Sequence, residues 1–215
     1  MHHRAVIFDL GGVILGSPLH AIAHYEREFE IPAGFINGVV VETGRDGAWA
    51  RLERGELGME AFFDAFEGDC AAAGQKLSAR FLMERIGEAA APRPQMLAAV
   101  ERLRTHGYRA AALTNNWAGA DERQNALKPL FDAFVESSVI GLRKPDPRIY
   151  LHTCAAIDVA PDEAVFLDDI GSNLKAARAL GMATIKVEDP DAALRELETI
   201  LELSLLEAPD PPRGF

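Results

Sequence analysis

Four short apolar runs constrain the fold of this chain more than any other feature: Ala5–Phe8, Ala110–Leu113, Ala164–Leu167 and Ala183–Val187. None alternates apolar with polar residues, which is the pattern of strands covered on both faces. The Ala-rich second run would also suit a helix, but Gly107 before it and Thr114-Asn115-Asn116 after it predict a strand. Phe134–Ser138 is a fifth candidate.

Helical patterns lie between the runs. Met96, Leu97, Val100 and Leu103 share a face, and Gly107 follows as a stop. Asp146-Pro147 and Asp189-Pro190 each read as an N-cap followed by the first helical residue. The latter opens a helix carrying Leu194, Leu197 and Leu201, while Leu174, Ala177 and Leu180 predict another ended by Gly181. Strands alternating with helices predict an α/β fold: a parallel sheet with helices on both faces.

The segment 16–91 breaks that rhythm. It is helix-like throughout and shows no obvious strand, so it reads as an all-helical cap inserted after the first strand. The core would then comprise residues 1–15 and 92–215, with the cap at 16–91. Trp49, Phe62, Phe63 and Phe66 are expected to pack the cap. The last eight residues, "APDPPRGF", are expected to be loosely ordered.

The bulk numbers bound the partners. A formal net charge of -11 over 215 residues argues against nucleic-acid phosphates as a partner. No apolar run is long enough for a membrane helix, and the start lacks a signal-peptide pattern, so a cytoplasmic location is expected. The two cysteines, Cys70 and Cys154, have neither metal-ligand nor disulfide-framework spacing.

In an open α/β sheet ligands bind beyond the carboxyl ends of the strands. There this sequence supplies Asp9, then Thr114, Asn115 and Asn116, then Lys144 in "GLRKPDP", then Asp168, Asp169, Ser172 and Asn173. Carboxylates from two strand ends repel unless a cation joins them, and Mg²⁺ suits a few carboxylates plus substrate phosphate oxygens. The Thr114 hydroxyl, the Asn115 amide and nearby backbone N–H groups are neutral donors for phosphate. Lys144 offers a positive charge to a transferring phosphoryl group. Together these are the parts of phosphoryl transfer.

"FDLGGV", "LTNN", "RKPDPRIY" and "FLDDIGSNLKAARALGM" resemble, in order, the four motifs of the haloacid dehalogenase superfamily. The likeness is strongest to the phosphatase domain at the amino terminus of soluble epoxide hydrolase and to the related domain fused to some acyl-CoA dehydrogenases. The resemblance implies a Rossmann-like core with a helical cap and a Mg²⁺-dependent phosphatase acting on a small phosphorylated metabolite. By the same resemblance Asp9 is the nucleophile that becomes an aspartyl-phosphate. Thr114 and Asn115 bind phosphate, and Lys144 orients nucleophile and phosphoryl group. Asp9, Asp169 and the Gly11 carbonyl hold the metal. Asp168 and Asn173 stand behind them, and Trp117 is placed to touch substrate.

One position departs from the pattern. Phosphatases of the superfamily usually carry a second Asp, the general acid/base, where this chain has Gly11. Four outcomes stay open at this level: a weak phosphatase suited to good leaving groups, an acid supplied from elsewhere such as the cap, a phosphate-ligand binder with little turnover, or a 2-haloacid dehalogenase, whose halide leaves without a proton.

Overall fold

In the computed structural model, which describes residues 3–119 and 122–206, the chain begins with β1 (Ala5–Phe8) and leaves the sheet at once. Five helices follow: α1 (Pro18–Glu28), α2 (Phe35–Thr43), α3 (Ala48–Glu53), α4 (Met59–Ala72) and α5 (Ala79–Ala89). The chain then returns through α6 (Pro94–Thr105), β2 (Arg109–Thr114), α7 (Glu122–Leu127), β3 (Ala133–Glu136) and α8 (Ser137–Ile140). It closes with α9 (Pro147–Ala156), β4 (Ala164–Asp168), α10 (Gly171–Ala179), β5 (Ala183–Lys186) and α11 (Pro190–Leu201).

The five strands form one sheet in the order β3-β2-β1-β4-β5, with every pair parallel. β1 is central. Its neighbours β2 and β4 are reached by crossovers in opposite directions, so the crevice above β1 is the switch point where such sheets bind ligands.

Successive side chains of a strand face opposite sides, and here both sides are packed. Val6 and Phe8 join Val165 and Leu167 under α6 and α11. Ala5 and Ile7 join Ala164 and Phe166 under α9 and α10. That double coverage is why the runs lack polar alternation. Both predicted Asp-Pro caps form: the Asp146 side chain accepts from the Arg148 N–H, and Asp189 from the Ala192 N–H.

Two local details differ from the sequence expectation. The fifth strand stops at Glu136, because the buried Ser137 hydroxyl accepts from the Asn116 N–H and the chain turns into α8. "GLRKPDP" therefore follows α8 rather than the strand itself. Within the segment 16–91, whose helix boundaries the sequence left unplaced, α3 and α4 are separate helices. Gly55 sits at φ 71°, and a Cβ there would lie 2.4 Å from the Ser138 carbonyl oxygen, so only glycine lets this turn approach α8.

α1 to α5 bury an apolar cluster of their own that includes Trp49, Phe62, Phe63 and Phe66, as expected. Two adjacent connections tie this segment to the sheet. The Gly16 N–H donates to the Ala91 carbonyl at 2.9 Å, and the Arg93 N–H to the Ile14 carbonyl at 2.8 Å. Cys70 and Cys154 are buried free thiols. The tail "APDPPRGF" lies outside the described residues. Among the described residues no helix is long and apolar enough to cross a membrane.

Candidate active site

Asp9 follows β1 immediately and is 6% exposed. Its Oδ1 accepts from the Leu10 N–H at 2.7 Å and lies 2.8 Å from Lys144 Nζ. Lys144 is 1% exposed and spans a gap, since its ammonium also donates to Asp168 Oδ2 at 2.7 Å. Asp168, the last residue of β4, is committed on both oxygens. Oδ1 takes the Ile170 N–H at 2.7 Å, and the Asn173 amide reaches both oxygens at 3.1 Å. The Tyr150 hydroxyl in turn donates to the Asn173 carbonyl at 3.0 Å. Asp169 is joined from the helical segment, with Ser17 Oγ donating to its Oδ2 at 3.2 Å. Gly12, at φ 81°, makes this packing possible, because a Cβ there would sit 2.1 Å from the same Asp169 oxygen.

Oxygens of Asp9, Asp168 and Asp169 lie within 4.8 Å of one another, and among the described residues Lys144 is the one cation paired with them, on Asp9 and Asp168. Burial pushes the Asp9 carboxyl up to about 8; Lys144 opposes this, and Asp168 and Asp169 add to it. Burial raises Asp169 too, reinforced by Asp168. Burial lowers Lys144, but Asp168 and Asp9 together outweigh it and hold the ammonium above its ordinary range. Two buried carboxylates and a partly buried third, against one ammonium, fit a hard divalent cation. With Asp168 engaged on both oxygens, Asp9 and Asp169 are the carboxylates left to hold it.

The phosphate-motif residues divide by role. Thr114, ending β2, is 3% exposed and lines a cavity beside the cluster. The Asn115 side chain is spent on the Lys144 loop. Its Oδ1 accepts the Lys144 N–H at 2.8 Å, and its Nδ2 donates to the Lys144 carbonyl at 3.1 Å. The amide read from sequence as a phosphate donor thus serves to fix Lys144. Asn116 ties β2 to the start of α8 through Ser137 and Ser138.

Sequence reasoning passed over four residues of this site: Ser17, Tyr150, Glu53 and Arg143. Glu53 ends α3 and is buried. Its Oε1 accepts Trp49 Nε1–H at 3.0 Å, and its Oε2 lies 3.3 Å from Asn115 Nδ2 and 2.5 Å from Arg143 Nε. Burial raises its carboxyl, against the pull of Arg143 and Trp49. One carboxylate of the helical segment thus touches the residues that aim Lys144. The signal lay in "LERGE" and "GLRKPDP", whose charges look like solvated surface until the segments meet.

Two cavities converge here. One, of about 330 Å³, is lined by Asp9, Lys144, Asp169, Glu53 and Arg143. The other, of about 320 Å³, is lined by Met59, Phe63, Met83, Ile86 and Thr114. Gly11, Pro18, Asn115 and Trp117 line both. Trp117 also packs against the apolar cluster of α1–α5.

The model of the haloacid dehalogenase-like hydrolases matches residues 3–181. The chain belongs to this family. It is 37% identical to bifunctional epoxide hydrolase 2 of Sus scrofa, over 97% of this chain and 40% of that protein. It is 36% identical to acyl-CoA dehydrogenase family member 10 of Mus musculus, over 94% of this chain and 20% of that protein. The chain therefore spans well under half of either relative. A sesquiterpene phosphatase of Aspergillus oryzae is 26% identical over 92% of this chain and 96% of its own. The fold is shared with a family enzyme of Bacteroides thetaiotaomicron solved with magnesium and inorganic phosphate, at TM-score 0.60 and 21% identity, over 86% of this chain and 93% of that one.

Proposed function

We propose that this family member is a Mg²⁺-dependent phosphatase that cleaves a small phosphorylated metabolite through an aspartyl-phosphate on Asp9. The observation that carries the reading is the Asp9–Lys144–Asp168 chain of contacts, with Asp169 beside it, at the switch point of the sheet. The relative named as a phosphatase and the neighbour solved with magnesium and phosphate support it. In this reading residues 1–15 and 92–215 form the core, and 16–91 form a cap that shapes the substrate site.

Asp9, Asp169 and the Gly11 carbonyl would hold Mg²⁺, which when bound supplies positive charge to the phosphoryl oxygens. Asp9 attacks phosphorus through a carboxylate oxygen, and the bond to the leaving oxygen breaks. Lys144 balances charge at the nucleophile and keeps it aimed. The Thr114 hydroxyl donates to a phosphoryl oxygen. The Asn116 N–H is engaged with Ser137, which leaves that of Asn115 as the backbone donor at this turn. Water then attacks the acyl phosphate, releasing inorganic phosphate and restoring Asp9. The apolar cavity suits an apolar body on the leaving group.

The test is Mg²⁺-dependent phosphate release from an aryl and an alkyl phosphate, with hydroxylamine trapping of the acyl phosphate. Turnover abolished by EDTA and by Asp9→Asn is expected. Binding of phosphate or beryllofluoride without turnover of either ester would make the chain a binder instead. Chloride release from 2-chloropropionate in EDTA would make it a dehalogenase.

A further inference from the structure

Gly11 raises a question that its backbone does not answer. Its φ lies outside the left-handed region, unlike that of Gly12, so the main chain there would accept any residue. What opposes a side chain is one neighbour. A Cβ on Gly11 would stand 3.0 Å from Pro18 Cγ and 3.1 Å from Pro18 Cδ, and the nearest atoms it would meet belong to that ring.

Pro18 is poorly able to yield. It is the first residue of α1, whose Ala21, Ile22 and Tyr25 are buried in the cap cluster. The residue before it, Ser17, is held on Asp169. The proline φ is fixed, so the ring can give way only by changing its pucker. Pro18 and Gly11 both line the two cavities, so the ring stands at their junction.

We infer that Pro18 has taken the space of the absent acid, so that Gly11 and Pro18 are a matched pair closing the leaving-group position to a proton donor. The inference rests on the phosphatase reading and sharpens its substrate class. Among the described residues, the carboxylates lining the cavities do not replace the acid. Glu53 receives donors on both oxygens, Asp169 belongs to the cation cluster, and Glu84 is exposed. The leaving oxygen must therefore depart as an anion. The substrates that satisfy this are aryl and enol phosphates, acyl phosphates and phosphoanhydrides; simple alkyl esters, whose alkoxides need a proton, do not.

A cycle of Gly11→Asp, Pro18→Ala and the double variant tests this. Gly11→Asp alone should lower Tm by about 3–10 °C, the effect of overpacking in a chain of this size. The double variant should recover to within about 2 °C of Pro18→Ala, that small residual being under 1 kcal/mol here. Should Gly11→Asp fail to fold, Gly11→Ala, which adds the Cβ alone, reads the same contact. The second readout is the dependence of rate on leaving-group pKa. The double variant should hydrolyse an alkyl phosphate about 10²-fold faster than wild type and flatten that dependence, as a positioned acid does. Gly11→Asp alone should not. Strictly additive Tm changes, or a Gly11→Asp variant of wild-type stability that accelerates alkyl ester hydrolysis, would overturn the pairing. The Tm cycle reads the pair even if wild type hydrolyses neither ester, an outcome that would sink the phosphatase reading instead.

Discussion

Replacing Asp9 by Asn should make the metal-free protein more stable, although it removes the proposed nucleophile. The argument starts from charge. Asp9, Asp168 and Asp169 crowd one site with a single ammonium. Burial, with the two neighbouring carboxylates, moves Asp9 from 3.8 to about 8 despite Lys144. In the folded, metal-free protein Asp9 thus keeps a proton that the unfolded chain releases near pH 4. Between those values the folded state binds more protons, so stability falls as pH rises and levels off above about 8. At pH 7 the displacement covers about three pH units, or about 4 kcal/mol; at pH 5 it is about 2 kcal/mol. Asn carries no such cost and can still accept from the Leu10 N–H, while Lys144 keeps Asp168. The ceiling at pH 7 is a gain of about 8–16 °C in Tm. Thermal unfolding of both proteins between about pH 5 and pH 8, in EDTA and in excess Mg²⁺, reads it. The gap should widen with pH in EDTA and close or invert in Mg²⁺, which binds ionised Asp9. A gap that does not grow with pH, or an Asn variant less stable throughout in EDTA, would refute the account of the site as under-neutralised.

Gly12→Ala should weaken Mg²⁺ binding at least about tenfold and cost about 1–3 kcal/mol, since its Cβ would overlap Asp169 at a left-handed φ; Mg²⁺ titration by calorimetry and denaturant unfolding measure the two effects. Glu53→Gln should cost about 1–3 kcal/mol in urea unfolding, because it removes the charge facing Arg143. It should also lower kcat more than it raises KM, as Glu53 acts through Asn115 on the Lys144 loop; unchanged kinetics would detach it from the site. Stopped-flow with an aryl phosphate should give a burst of about one equivalent of aryl alcohol and then a slow phase. The missing acid spares the first step there, while the missing base slows the second by about 10²–10⁴-fold. A linear trace would place the limit before phosphoenzyme formation.

The sheet and the residues at its strand ends were legible because each is written locally. A run covered on both faces loses its polar alternation, and its exit shows at once in small and charged residues. Asp9, Asp168 and Asp169 meet because the parallel topology brings the ends of the adjacent strands β1 and β4 together, and Lys144 reaches them from the loop after α8. Ser17 on Asp169 and Glu53 on Asn115 were not legible. Those contacts join residues 152 and 62 positions apart. They depend on how the helical segment docks, and no local period encodes that. The break between α3 and α4 is set in the same way, since Gly55 is demanded by the Ser138 carbonyl on a different part of the chain.

Gly11 and Pro18 join the two kinds of information. The sequence reveals that a carboxylate is absent, and an absence admits many histories: a loss of function, a substitute acid elsewhere, or a change of substrate. Geometry separates these. A simple loss would leave space at position 11, and a substitute acid would put a carboxyl at the junction of the cavities. Instead the space holds the ring of a helix-initiating proline, carried by an element that also anchors Ser17 to Asp169. On this inference, restoring the acid calls for a change at Pro18 as well as at Gly11. Selection acting on leaving-group chemistry would keep both residues together, because either reversion alone yields a strained site or an empty one.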